Sequence, residues 1–186
     1  MRAAPCHRIG SVVAAIGVSS AVAAAGLLIA PLAGAAAGST VQIANNTAVT
    51  LASGWKVSQT KSAQVFLVHR SPNAEVVVLA FGPGTGTVQA NATAIFNNFA
   101  KGFGLKHIKT GTPDVSQLQG SYRFDQLDSF TYTGKVGSKT LGGLAVEYQS
   151  STAHDGAFAI VIAAPKDKSK LKAGIQQMFT SIATNT

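Results

Sequence analysis

From Ile9 to Trp55 the chain runs for 47 residues without a charged side chain. Over the whole sequence 12% of residues are charged, so this stretch is set apart from the remainder of the chain. Arg2 and Arg8 precede it, Val12 to Ala30 is apolar, Pro31 breaks the run, and Ala33, Gly34, Ala35, Ala36 and Ala37 come next. A positive start, an apolar middle and small residues at the cut are the order of a secretory signal peptide. Ala33-Gly34-Ala35 and Ala35-Ala36-Ala37 both offer small side chains at the first and third positions before a cut. Cleavage after Ala37 is the expectation, with a signal peptide at 1–37 and a single globular domain at 38–186. The 19 apolar residues are also about long enough to cross a bilayer, and a retained N-terminal membrane anchor is the alternative. Either way the domain is expected outside the cytoplasm, secreted into the medium or held at the cell wall.

The only cysteine, Cys6, lies ahead of the apolar run, and Leu32-Ala33-Gly34 is followed by Ala35. The chain therefore lacks the thiol that lipid attachment at that point would need. The mature domain has no disulfide in spite of its oxidising destination, and its stability must come from a core alone. Its 149 residues can bury about 68–70% of the surface of the unfolded chain, which suffices for one core. Thirteen basic residues against 7 acidic ones leave it at net +6, which favours association with anionic surfaces and is neutral as to fold. No internal repeat, coiled coil or second apolar span is present.

Two segments carry helical periodicity. Val88, Ala92, Ile95, Phe96, Phe99 and Phe103 fall on one stripe, with Thr85 or Thr87 available as a cap and Gly102 and Gly104 as stops. Leu171, Ile175, Met178, Phe179 and Ile182 repeat the pattern after Pro165, with Asp167 or Ser169 as the cap. Elsewhere the apolar runs are short, β-branched or aromatic, and bounded by Gly, Pro, Asn or Ser. They predict strands near Val49 to Leu51, Trp55 to Ser58, Gln64 to His69, Glu75 to Phe81, Ser129 to Thr133, Leu144 to Gln149 and Phe158 to Ala163. In the strand after Leu144, Val146 and Tyr148 share its side while Glu147 and Gln149 take the other. Gly134 to Gly143 is predicted as a hairpin loop. Strands, a helix, more strands and a final helix make an α+β fold, a mostly antiparallel sheet flanked by two amphipathic helices.

Gly54-Trp55 at an early strand, Val76-Val77-Val78-Leu79 leading into a helix, Gly143-Leu144-Ala145-Val146-Glu147-Tyr148 and the closing amphipathic helix together resemble the LpqN-type secreted proteins and lipoproteins of mycobacteria. That family is similar in fold to the photosystem accessory protein PsbP, an α/β/α sandwich. The likeness spans most of residues 49 to 183 and is one of pattern; the lipid-attachment cysteine is missing. It implies an actinobacterial, non-catalytic accessory protein of the envelope, and it transfers no active-site residue.

The residues themselves assemble no catalytic centre. Gly82-Pro83-Gly84-Thr85-Gly86 sits where a phosphate loop would, but Pro83 has no N–H, no Lys-Ser or Lys-Thr pair follows, and the dinucleotide fingerprint lacks its third glycine. No nucleotide partner is expected. Ser58-Gln59-Thr60-Lys61 and Lys109-Thr110-Gly111 match two short motifs of penicillin-recognising enzymes, yet Ser58 ends a predicted strand where those enzymes need a helix start, and no Ser-Asp-Asn element exists. His69, His107 and His154 make no metal pattern. His154-Asp155 reads as a polar turn, unless Glu147 approaches it. The seven carboxylates show no pairing for hydrolysis, and Asp125 and Asp128 read as members of a solvated loop.

Lysines are the remaining candidates. Lys101, Lys106 and Lys109 fall together, with no acid between Glu75 and Asp114. Lys168, Lys170 and Lys172 gather at a helix start, where positive charge is disfavoured. A solvated surface accounts for such lysines in general; contact with an anionic envelope lipid, a wall polymer or an envelope protein is the functional alternative. Nucleic acid is not expected outside the cell, and no cofactor is implied. The reading is a secreted, non-catalytic accessory or binding protein of the envelope, against the alternative of a small secreted hydrolase with an unassigned site. N-terminal sequencing of protein from the culture medium should return a chain starting near Ala36 or Gly38; a membrane-bound product starting at Met1 or Arg2 would contradict export with cleavage.

Overall fold

The computed structural model describes residues 37–44, 47–82, 86–118, 124–153 and 155–184. A small hairpin of β1 (Thr40–Ala44) and β2 (Thr47–Thr50) leads into β3 (Trp55–Lys61), β4 (Gln64–Arg70) and β5 (Asn73–Phe81). Helix α1 (Val88–Phe103) follows, then β6 (Lys106–Thr110), β7 (Asp114–Gln117), β8 (Gln126–Val136), β9 (Lys139–Gln149) and β10 (Gly156–Ala163). A 3-10 turn at Pro165–Asp167 runs into α2 (Lys168–Thr184). The large sheet has eight strands in the order β3-β4-β5-β10-β9-β8-β6, with β7 also on β8, and every pair is antiparallel.

All eight residues of β10 are buried. Its alternate side chains enter two separate cores: Phe158, Ile160 and Ile162 meet α1, while Ala157, Ala159, Val161 and Ala163 face α2 and the β1–β2 hairpin. This is the arrangement expected of a strand covered on both faces, and it makes an α/β/α sandwich of the α+β class. Helix α1 buries Val88, Ala92, Phe96, Phe99, Ala100 and Phe103, with Phe96 standing edge-on to Phe130 and Tyr132 at 5.1 Å from each ring centroid. The Thr87 hydroxyl accepts the Ala90 N–H, and Gly104 ends the helix at φ +71°. Helix α2 buries Leu171, Met178, Phe179, Ile182 and Ala183 on the other face.

Three expectations need correction. Gly134 to Gly143 is not a loop: β8 and β9 pair without a break from Gln126 opposite Gln149 to Val136 opposite Lys139, and only Gly137 and Ser138 turn, with Gly137 at φ +59°. Ser169 does not cap α2 but lies inside it, because Pro165 starts a tight turn, closed by the Asp167 N–H on the Ala164 carbonyl, that continues directly into a helix beginning at Lys168. Strand β3 does not stop at Ser58 but continues to Lys61. In addition β1, whose Val41 and Ile43 alternate with exposed Thr40 and Gln42, is not among the expected strands, and β6 and β7 are strands that periodicity does not announce. In β6 every residue is exposed and His107 sits at φ +52° in a bulge, so no alternation is imprinted.

The glycines inside β9 have a packing role. Tyr132 of β8 lies opposite Gly143, and its hydroxyl reaches across β9 to donate to the Val161 carbonyl at 2.7 Å. A Cβ on Gly143 would stand 1.8 Å from that same oxygen. Tyr132→Phe, which leaves a buried carbonyl without its donor, should therefore cost about 1–3 kcal/mol in urea unfolding. Gly143→Ala, which forces backbone apart, should cost at least as much. A Tyr132→Phe protein as stable as the parent would show that the reach across β9 contributes nothing.

Candidate functional site: an apolar groove and a buried acid pair

Helix α2 packs against β2 and β10 and, among the described residues, leaves the neighbouring face of β8 and β9 without a helix above it. The result is a groove of about 700 Å³. Its floor follows from the two-residue period of the strands: Leu127, Ser129 and Thr131 of β8, Leu144, Val146 and Tyr148 of β9, Val161 and Ala163 of β10. Its wall follows from the helical period: Lys168, Leu171, Lys172, Ile175, Phe179 and Ala183 of α2, with the polar Ser169, Gln176 and Thr180 beside them. Leu118, Leu127, Leu144 and Ile175 are only half-buried against the core, so apolar surface is left facing the groove. The Tyr148 hydroxyl donates to the Phe179 carbonyl at 2.9 Å and ties the far end of α2 to the floor. Burial raises the Tyr148 phenol above its ordinary range, which keeps that donor protonated.

Of the six lysines singled out, only Lys168 and Lys172 line this groove. Lys170 is exposed on the same helix and does not line it. Lys101 occupies the last turn of α1, where the helix dipole favours a cation, and Lys106 and Lys109 are exposed on β6 at a sheet edge. Lysines on an edge strand discourage pairing with another sheet, a structural role that needs no ligand. The basic cluster read along the chain is thus divided between the two faces of the molecule.

The side chains missed by sequence reading are acidic. Asp128 of β8 and Glu147 of β9 are direct partners across the sheet, and both are 0% exposed. None of their four carboxyl oxygens has a hydrogen-bond partner among the described residues. This corrects the solvated loop expected for Asp128. Strand parity was the available signal: Asp128 lies two residues before Phe130 and four before Tyr132, and so shares their inward face. Gln149 continues the polar strip; its amide donates to the Gly86 carbonyl at 3.2 Å while its own oxygen is unpartnered. Asp125 behaves as expected for the surface, where the Ser151 hydroxyl and the Ser151 N–H, the latter at 2.7 Å, bond its carboxylate and lower its pKa.

Other sequence candidates do not converge. Ser58 lies within β3 and donates to the Phe66 carbonyl at 3.1 Å, whereas Lys109 is on β6 at the opposite edge of the sheet. His69 packs on Trp55 with ring centroids 5.3 Å apart and has its Nδ1 3.0 Å from the Pro72 carbonyl. His107 sits in the bulge of β6. His154 and Pro83 to Thr85 lie outside the described residues. No group of three or more His, Cys, Asp and Glu side chains placed to hold a metal occurs among the described residues.

Burial foremost, and then the charge of Asp128, push Glu147 from its ordinary 4.5 up to about 9. Burial also raises Asp128, with the Asp114 charge adding to it. The protonated form of Glu147 is the one the fold accommodates. Its stabilisation is complete below about pH 4.5 and is lost progressively as pH rises toward about 9. Glu147→Gln removes the titration, so at pH 8 the variant should exceed the parent by roughly 3–5 kcal/mol, with the difference closing at pH 4. Thermal melts at the two pH values test this; an advantage independent of pH would exclude the proton-linked cause.

No family model and no curated protein matches the sequence. Solved structures do match the fold. The solution structure of cyanobacterial PsbP (CyanoP) from Synechocystis superposes with a TM-score of 0.53 at 12% identity, covering 75% of this chain and 85% of that one. The crystal structure of the Saccharomyces cerevisiae Ran-binding protein Mog1p superposes with a TM-score of 0.56 at 7% identity, covering 78% of this chain and 95% of that one. At these identities the likeness establishes a PsbP-like fold.

Proposed function

We propose that this chain is an exported, non-catalytic binding protein of the cell envelope, of the LpqN type, whose groove takes the apolar chain of an envelope lipid. The groove beside α2 is the observation that carries the reading. Its floor and wall present leucine, isoleucine, valine and phenylalanine side chains, several of them half-exposed, in a volume typical of small-molecule sites. From Lys168 to Ala183 the lining stripe of α2 extends about 22 Å at 1.5 Å per residue. One leaflet of a bilayer, about 15 Å of hydrocarbon, is the depth an acyl chain spans, so an extended chain lies within that length. Ser58 and Lys109 at opposite sheet edges give no support to the hydrolase alternative.

A fluorescent long-chain acyl probe should bind the purified protein with a 1:1 stoichiometry. Ile175→Trp, which fills the groove from its wall, should weaken binding at least tenfold without lowering the thermal midpoint. Unchanged affinity in that variant would move the binding surface elsewhere and sink the reading.

A further inference from the structure

We infer that the occupant of the groove is a long-chain fatty acid, with its carboxylate between Lys168 and Lys172 and its tail running along α2 toward Phe179 and Ala183. The inference rests on the groove reading above and adds the head group to it. Lys168 and Lys172 stand one helical turn apart and so share one side of α2, about 5–6 Å between their Cβ atoms. Among the described residues they are the only charged side chains that line the groove, and both lie toward one end of it. Asp167, the nearest acid in sequence, belongs to the preceding 3-10 turn and is not part of the lining. Two like charges at this spacing repel each other, and Lys168 opens α2, where the helix dipole disfavours a cation. A carboxylate placed between them relieves both terms and is attracted most strongly where apolar walls reduce the water around it.

The rest of the lining selects the remainder of the ligand. Beyond Lys172 the wall continues as Ile175, Phe179 and Ala183 over Val146 and Tyr148, joined by the polar but uncharged Gln176 and Thr180, with no further charge among the described lining residues. The Tyr148–Phe179 hydrogen bond holds that end of the helix against the floor. One charged end and one long apolar end match an amphiphile with a single tail and a compact anionic head. A volume of about 700 Å³ is that of a small-molecule site and suits one tail.

Palmitate and 1-hexadecanol, equal in chain length and differing in charge, separate the head-group inference from the groove reading. Isothermal titration of the purified protein below the solubility limit of each should show palmitate binding at least tenfold more tightly. In the double variant Lys168→Met, Lys172→Met, which keeps the apolar stems, palmitate should fall to the level of hexadecanol while hexadecanol is unchanged; that retained binding also shows the variant is folded. Lys101→Glu, Lys106→Glu, Lys109→Glu should leave the palmitate preference in place. Equal affinity of the native protein for palmitate and hexadecanol overturns the head-group inference and leaves the groove reading standing, whereas binding of neither overturns both. Loss of the preference in the triple variant would assign it to overall charge and overturn the site. So would a dimer that palmitate does not dissociate, or binding to anionic phospholipid vesicles without binding to palmitate.

Discussion

The central strand β10, Gly156–Ala163, has no polar side chain and no exposed residue. A strand of that kind needs cover on both of its faces, and the rest of the chain is arranged to supply it. Helix α1 provides one layer with its phenylalanine stripe; α2 and the β1–β2 hairpin provide the other. The two layers are chemically unequal. On β10 the large side chains Phe158, Ile160 and Ile162 face α1, while alanines and one valine face α2. With so little volume on its own side, β10 is completed there by α2 and the hairpin together.

That division explains why a groove exists at all. The hairpin and α2 share one face of the sheet, and α2 is drawn toward β2 and β10. The same face of β8 and β9 then has no helix above it among the described residues. Leu127 and Leu144 are left half-buried there, and each Å² of such surface that a ligand covers is worth about 25 cal/mol. The opposite face of β8 and β9 is closed by α1. It is there, under a complete layer, that Asp128 and Glu147 are sealed from water. One pair of strands thus presents an open apolar surface on one side and enclosed acidic groups on the other.

Most of the architecture was legible in the chain because burial on one or both faces imprints a period. The stripe of α1 and the strand cores around Phe66, Val77, Val146 and Ile160 follow directly from it. Edge strands carry no such imprint: Lys106–Thr110 and Asp114–Gln117 pair through backbone alone and read as loop. Gly134, Gly142 and Gly143 mislead for a related reason, since glycine signals a turn locally but here makes room for a neighbouring backbone or side chain. The groove could not be read in advance because it depends on where α2 settles on the sheet, a matter of packing between distant segments. Lys168 and Lys172 were visible as a charged pair at a helix start, but their relation to an apolar surface was not. The acid pair was within reach of parity, and was missed because Asp128 lies close after Asp125 and only one of the two is on the surface.

The neutral state of Glu147 in the folded chain makes unfolding a proton-releasing event near neutrality. With its carboxyl raised to about 9 in the fold and near 4.5 once the chain is solvated, disruption of the sheet at pH 7 delivers about one proton to the buffer. The heat absorbed on melting then includes the protonation heat of whatever buffer is present, and differs between phosphate and an amine buffer at the same pH. The calorimetric enthalpy of this domain is for that reason a property of the protein together with its solution, and its variation from one buffer to the next gives the net number of protons released on unfolding, that of Glu147 among them.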